Sequence, residues 1–445
     1  MDTARPPGAE PQGLKLLLRA LRHRNYRLFF TGQSLSLVGT WMTRVATGWL
    51  VYRLTDSPAL LGVVGFAGQV PIFLLAPLAG VLADRWDRRR LLILTQVLSM
   101  AQSLTLAALT LTGVVTVWHV IALSLFQGVV NAFDTPLRLA FVVDMVDRRE
   151  DVPNAIALNS SMFNGARLVG PSLAGIIIAV WGEGICFLLD GISYAAVIAS
   201  LAAMRLAAAA RVKTREPVLR GLREGLRVAF GIGPIRAILL MAAFTSLVGA
   251  PYLVLMPVVA RDVLGGDSHT LGFLMGAVGL GALGGAFFLA SRRTVRGLSR
   301  ILTLAAVLFG LGLAAFSQSR LPGLSYALML VVGFGMMVQL ASSNTILQTV
   351  VDDDKRGRVM SLYTTSVLGI VPFGSLLAGS LADRFGAPAT LLAGGLGLLA
   401  AAAVFARYLP RLRALMRPIY VRKGIIPEVA TGIQSATHIS TTAKD

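Results

Sequence analysis

The sequence predicts an all-α membrane protein of twelve transmembrane helices in two six-helix pseudo-repeats, and three observations carry that prediction. First, of 445 residues 55% are hydrophobic and only 14% charged, where a soluble globular protein carries about 25% charge. A membrane span needs roughly 20 apolar residues, and this chain supplies such segments almost from end to end. Second, the basic residues gather in the tails and in alternate loops, and positive residues stay on the cytoplasmic side. Both termini are therefore expected to be cytoplasmic. Third, short matches recur at a near-constant offset. Gly13-Leu14 and Leu18-Arg19 return as Gly221-Leu222 and Leu226-Arg227, Ser36-Leu-Val-Gly39 as Ser246-Leu-Val-Gly249, and Leu61-Gly62 as Leu271-Gly272. Val146-Asp147 matches Val351-Asp352, and Ser172-Leu-Ala-Gly175 is similar to Ser375-Leu-Leu-Ala-Gly379. Each match is short, and the shared offset is the signal of two parallel halves.

In order, residues 1–26 read as a cytoplasmic tail whose segment Gly13–Arg24 sets Leu14, Leu17, Leu18 and Leu21 on one helical face against Lys15, Arg19 and Arg22. That is the pattern of a helix lying on a membrane surface. Residues 27–204 hold the first six spans, at about 27–52, 59–83, 91–112, 117–137, 155–180 and 185–204. Residues 205–236 form a central cytoplasmic loop, in which Leu219, Leu222, Leu226 and Phe230 recur at helical spacing as a second surface helix. Residues 237–409 hold six further spans, at about 237–260, 270–290, 301–318, 323–347, 359–382 and 387–408, and 410–445 read as a basic, then polar, tail.

The net charge of +19 would suit nucleic acid if it formed one basic face. Its confinement to tails and alternate loops makes it a topology signal, so the bilayer is the expected partner and nucleic acid is not. One cysteine, Cys186, excludes an internal disulfide, and four histidines leave little for a metal site; no metal and no cofactor are expected. The polar start, MDTARPPGAEPQG, lacks an apolar run before a cleavage site, so no cleavable signal is expected. The chain contains no His-Glu-x-x-His, Gly-x-Ser-x-Gly or Gly-Lys-Ser/Thr, which argues against a zinc or serine hydrolase and an ATP-driven pump. A membrane-embedded enzyme is thus disfavoured.

The densest motif is Leu74–Leu91, LAPLAGVLADRWDRRRLL. Gly80, Asp84, Arg85, Arg88 and Arg89 fall in a turn too short to let the second and third spans be anything but antiparallel neighbours. The pattern resembles the loop between helices 2 and 3 of the major facilitator superfamily of transporters. The resemblance implies a conformational latch, in which the aspartate and arginines hold the two halves together on the cytoplasmic side. The family's glycine after Arg-x is here Asp87, and the second copy, Ala378–Arg384, falls at the other face and reads as a helix end. The second motif, Gly165-Ala-Arg-Leu-Val-Gly170-Pro171-Ser-Leu-Ala-Gly175, puts small residues near one helical face with a proline that frees a backbone carbonyl. It is similar to the span-five motif of the exporting, antiport branch of that superfamily, or else a packing kink.

Four charges fall inside spans, where each is costly unless paired. By residue counting, at 1.5 Å per residue, Arg44 and Asp190 lie at similar depth, as do Arg167 and Asp134. The expected pairs are Arg44–Asp190 and Arg167–Asp134, either as static packing pairs or with one carboxylate as a proton or substrate site. Drug/proton antiporters of the superfamily often carry an arginine three residues before Gln-Gly in span four. Here Gln127-Gly128 is present and that position is Ser124, so coupling through that arginine does not carry over. Ala132–Pro136, Asn154–Asn159 and Phe163–Arg167 are similar to the subgroup that includes the enterobactin exporter and related secretion transporters, over roughly residues 24–405. The resemblance implies export of a small organic molecule across the bacterial inner membrane, driven by protons, from a cavity lined by spans 1, 4, 7 and 10. Gln127, Asn131 and Gln339 are its polar candidates. An importer or facilitator of the same fold is the alternative.

Overall fold

A computed structural model describes residues 18–85, 87–205, 227, 230–292 and 294–423, with only the backbone course of 76–85, 353 and 354. Twelve long helices are present among them. In the first half these are α1 (Arg24–Thr55), α2 (Pro58–Arg85), α3 (Arg88–Leu111), α4 (Val117–Asp144), α5 (Val152–Trp181) and α6 (Glu183–Ala203). In the second, α7 runs Gly233–Val263 and is followed by α8 (Ser268–Ala290), α9 (Leu298–Gln318) and α10 (Pro322–Val350). The last two are α11, made of Asp353–Thr364 and Val371–Phe385, and α12 (Ala387–Arg422). Eleven are long and apolar enough to cross a membrane. The exception is α1, which is 32 residues long but carries Arg24, Arg27, Arg44 and Arg53.

Local chemistry sets the turns. α1 stops at Asp56 in the left-handed region, with φ 48°, and Pro58 opens α2, where a missing N–H costs nothing. Asp87, the departure from the family's glycine, is the N-cap of α3 and accepts a hydrogen bond from the Arg90 backbone N–H at 3.0 Å, satisfying one of the orphan donors of a helix start. Gly182 and Gly386, at φ 80° and 84°, make the same tight turn in each half.

Within the halves α1 packs on α5 and α6, α3 on α4 and α6, and α2 on α4; correspondingly α10 packs on α8 and α9, and α9 on α12. The halves meet through α2 with α11 and α5 with α8. These are one contact made twice, and the sequence repeat says how. A Cβ on Gly62 would lie 2.7 Å from the Ser375 carbonyl, and one on its repeat mate Gly272 would lie 2.9 Å from that of Pro171. Likewise Gly379 faces the Pro58 carbonyl and Gly175 that of Ser268, each at 2.7 Å. The repeated glycines exist because two backbones cross there without room for a side chain.

One end of the bundle carries residues 18–23, the 145–151 and 351–352 turns and the end of α12; it is the terminal end. The far end carries the turns at 56, 182, 264–267, 319–321 and 386. Two sequence expectations change. The expected surface helix over 13–24 is a 3-10 turn, Arg19–Arg22, in its described part; residues 13–17 and most of the second expected surface helix, 206–226, lie outside the described residues. The expected break near 409 is absent, since α12 continues to Arg422 through Pro410 and Pro418. Leu412 and Met416, one turn apart, are buried in the core with Ile235, Val359 and Tyr363, which holds this basic extension on the second half.

Candidate functional site

The centre of the bundle holds two arginines around one indole. The Arg44 guanidinium carbon lies 4.8 Å from the centre of the Trp41 ring and that of Arg167 lies 5.8 Å from it. Phe163 packs edge-on against the same indole at 5.7 Å, and Arg167 lies beside the Tyr252 hydroxyl of α7. Tyr252 in turn stacks edge-on with Phe309 at 6.1 Å. Trp41 is buried, Arg167 half-buried and Arg44 exposed, so Arg44 faces open space although it sits in the middle of a 32-residue helix.

Neither expected ion pair forms. Asp190, 2% exposed, accepts hydrogen bonds from Thr43 Oγ1 at 2.9 Å and Ser103 Oγ at 3.0 Å, while its Oδ1 has no partner. Asp134 accepts from Thr95 Oγ1 at 2.9 Å and Gln96 Nε2 at 2.7 Å, with Arg138 one turn away at 3.5 Å. Depth alone paired the charges; the helix face decides otherwise. Thr43, not Arg44, is the α1 residue that points at α6. The setting of Asp190 has a counterpart that lacks the acid. Gly39 makes room for it, a Cβ there falling 2.7 Å from Asp190 Oδ1. By the register of the matched turn glycines Gly182 and Gly386, the second half has Gly394 where the first has Asp190, and Leu313, 3.6 Å from a Cβ on Gly394, where the first has Ser103. The fold therefore fills this place with hydrocarbon as readily as with a carboxylate.

Of the polar candidates, Gln127 Nε2 donates to Ser99 at 3.0 Å and Asn131 at 3.2 Å, half-buried along α4. Gln339 is 1% exposed and donates to Thr245 Oγ1 at 2.7 Å, so it bridges α10 to α7 at the π-helical turn Thr245–Gly249 and does not line open space. The span-five glycines have three different surroundings. Gly170 abuts Trp41 of α1, Gly175 abuts α8, and a Cβ on Gly165 would meet nothing within 4 Å. Pro171 is buried and contributes its carbonyl to the Gly272 crossing. In the basic turn, Arg88 pairs with Asp144 at 3.1 Å and Arg89 donates to the Ala202 carbonyl at 2.6 Å, both within the first half. The side chains of Gly80, Asp84 and Arg85 lie outside the described residues.

The closure at the far end was not anticipated. Tyr52 donates a short hydrogen bond to Asp262, Arg261 pairs with Asp56 at 2.5 Å and stacks over Tyr52 at 5.5 Å, and Ser57 donates to Asp383 at 3.2 Å. Tyr52 and Asp262 are 210 positions apart, the repeat offset itself. Equivalent residues touch only beside the pseudo-two-fold axis, so that offset was the available signal.

At the terminal end, His23 sits between Asp147 at 3.0 Å and Asp151 at 2.8 Å, and Arg19 also pairs with Asp151. Burial favours the neutral ring, but hydrogen bonds to Asp147 and Asp151 and their charges overcome it, so the His23 pKa is raised above 6.5. The His23 hydrogen bond, against burial and with help from Arg19, lowers that of Asp151 below its ordinary value of 3.8. The repeat mate of Asp147, Asp352, is gripped by Arg422 at 2.8 Å. Each half thus has its repeated Val-Asp turn held by a basic residue from a chain end. No group of three His, Cys, Asp or Glu residues fit for a metal occurs among the described residues.

A family model described as transmembrane secretion effector matches residues 17–419. The staphyloferrin A transporter of Staphylococcus aureus is 27% identical over 384 residues, 85% of this chain and 95% of that one. The multidrug efflux pump Tap of Mycolicibacterium fortuitum is 29% identical over 388 residues, 85% and 93% of the two. Macrolide efflux protein A of Streptococcus pyogenes is 25% identical over 387 residues, 82% and 92%. Among solved structures, a bacterial homologue of the human lysosomal transporter Spinster, inward-facing and unoccupied, superposes with a TM-score of 0.64 at 13% identity, covering 92% of this chain and 98% of that one. The POT family transporter PepTSo gives 0.66 at 12%, covering 88% and 99%. These likenesses show the fold.

Proposed function

The chain belongs to the transmembrane secretion effector family of the major facilitator superfamily, and from that premise we propose that it is a secondary active transporter exporting a small organic molecule across the bacterial inner membrane by proton antiport. The observation that carries the reading is that the halves are joined at one end and parted at the other. On the α5 face that touches α8, Gly175, Ser172 and Leu168 are in contact, whereas nothing lies within 4 Å of a Cβ on Gly165 and Ser161 is exposed. On the facing side of α8, Gly272, Gly276 and Gly279 touch α5, whereas Phe287, on the same face, is 68% exposed. A bundle closed at one end and splayed at the other is one state of an alternating-access cycle.

With both termini and 205–236 in the cytoplasm, this is the inward-open state, and the Tyr52–Asp262 and Asp56–Arg261 contacts form the outer gate. Gly80, Asp84, Arg85, Arg88 and Arg89 are the latch of the opposite state. Asp190 is the first candidate to carry the proton, because an acid is kept where the repeat shows the fold has no need of one; Asp134 is the second.

The relatives' names supply test compounds. Inverted membrane vesicles energised by respiration should accumulate a macrolide or another exported compound only when they contain the protein, and an uncoupler should abolish the difference. Asp190→Asn should abolish gradient-driven accumulation while leaving exchange down a concentration gradient. Full accumulation in Asp190→Asn, or insensitivity to the uncoupler, would refute the coupling.

A further inference from the structure

We propose that the arginine pair at the centre of the bundle, Arg44 with Arg167 around Trp41, is a binding site for an organic anion carrying a carboxylate beside an aromatic or other flat apolar body. The inference rests on the transporter reading for its location and adds the substrate class.

Two guanidinium groups share one indole ring, at 4.8 and 5.8 Å from its centre. A charge in the middle of a membrane protein is costly unless another charge compensates it, and two like charges side by side add their repulsion to that cost. Among the described residues neither arginine has a carboxylate within ion-pair distance. The acids that could have served are occupied elsewhere: Asp190 with Thr43 and Ser103, Asp134 with Thr95 and Gln96, Asp262 with Tyr52. The chain thus keeps uncompensated positive charge at its centre while its membrane-embedded acids Asp190 and Asp134 are engaged by other side chains. A static structural pair would have used one of those acids. A site that must receive an anion would not.

The groups around the pair define what the anion carries. Guanidinium is a planar fork that matches a carboxylate through two parallel hydrogen bonds, and Arg44 is exposed. Phe163, 44% exposed, stands edge-on to Trp41 and offers the exposed aromatic face beside the pair, while Tyr252 of the other half is buried behind Arg167. Arg44 and Arg167 come from the first half, and Arg167 lies beside the Tyr252 hydroxyl of the second, so an anion bound here sits next to a contact between the halves.

Equilibrium dialysis of the full-length detergent-solubilised protein against 2-naphthoate, its methyl ester and 2-naphthylmethylammonium reads the preference without membrane or gradient. The expected result is that naphthoate binds at least tenfold more tightly than either analogue. Arg44→Gln and Arg167→Gln should each remove that preference, and Arg44→Lys should keep part of it. The wild-type comparison alone decides the matter should a glutamine variant fail to fold. Ester or ammonium binding as well as naphthoate, or a preference intact in folded glutamine variants, overturns the proposal. So does displacement of naphthoate by phosphatidylglycerol added to the micelles, which would assign the arginines to a lipid headgroup. A protein that prefers naphthoate yet fails the vesicle experiment refutes export and leaves the anion site standing.

Discussion

Replacing Gly175 with alanine tests the reading of the far end as a gate. The added Cβ would lie 2.7 Å from the Ser268 carbonyl oxygen and 3.0 Å from the Gly272 Cα. Both are backbone atoms of another helix, so no side chain can turn aside. Ordinary contact begins near 3.4 Å, and α5 and α8 must part by roughly 0.4–0.7 Å to reach it. Overpacking of this kind costs about 1–3 kcal/mol. The cost applies only while the far end is closed, so the closed-to-open ratio should fall by about 5–150-fold. Spin labels at Val114→Cys and Arg320→Cys, with Cys186→Ala, sit on exposed far-end turns of the two halves, and pulsed dipolar spectroscopy reads their separation. Gly175→Ala should move the distribution to longer distances, and Gly62→Ala, at the symmetry-related crossing, should do the same. Gly165→Ala, whose Cβ meets nothing within 4 Å, should leave the closed distances in place. An unchanged distribution in Gly175→Ala, or an equal shift in Gly165→Ala, would refute the argument.

Three further outcomes are expected. His23→Gln should lower the thermal midpoint in detergent most between about pH 4 and 6.5. The raised His23 pKa makes the charged ring's contribution complete below 6.5 and lost as pH rises through the folded value, while the lowered Asp151 pKa keeps its own contribution until pH falls well below 3.8; a pH-independent deficit would count against the charged ring. Arg44→Ala and Asp190→Ala should be additive within about 0.5 kcal/mol in stability, because the two side chains have separate partners; a favourable coupling above that would restore the ion pair. Asp84→Asn should slow transport while the protein still folds and inserts, if the proposed latch acts in the opposite state; wild-type rates would reduce the basic turn to a marker of topology.

The twelve helices, the two halves and the family were all legible in the sequence, because hydrophobic length, arginine placement and a repeat offset are properties of the chain itself. Within 152–181, 268–290 and 298–318 the expected spans and the helices agree to within a few residues, since loss of water, not tertiary contact, makes a 20-residue apolar segment helical. Even the departure at Asp87 has a local account as a helix cap. Tertiary structure decided the partners. Residue counting gives depth along a helix but not azimuth relative to neighbours whose packing angles are unknown, so it paired Arg44 with Asp190 when the face toward α6 belongs to Thr43. The same blindness hid the Tyr52–Asp262 contact, the docking of Leu412 and Met416, and the burial of Gln339. What the repeated glycines are for also needed three dimensions: only the crossing of two backbones shows why Gly62 and Gly272, or Gly175 and Gly379, leave no room for a methyl group.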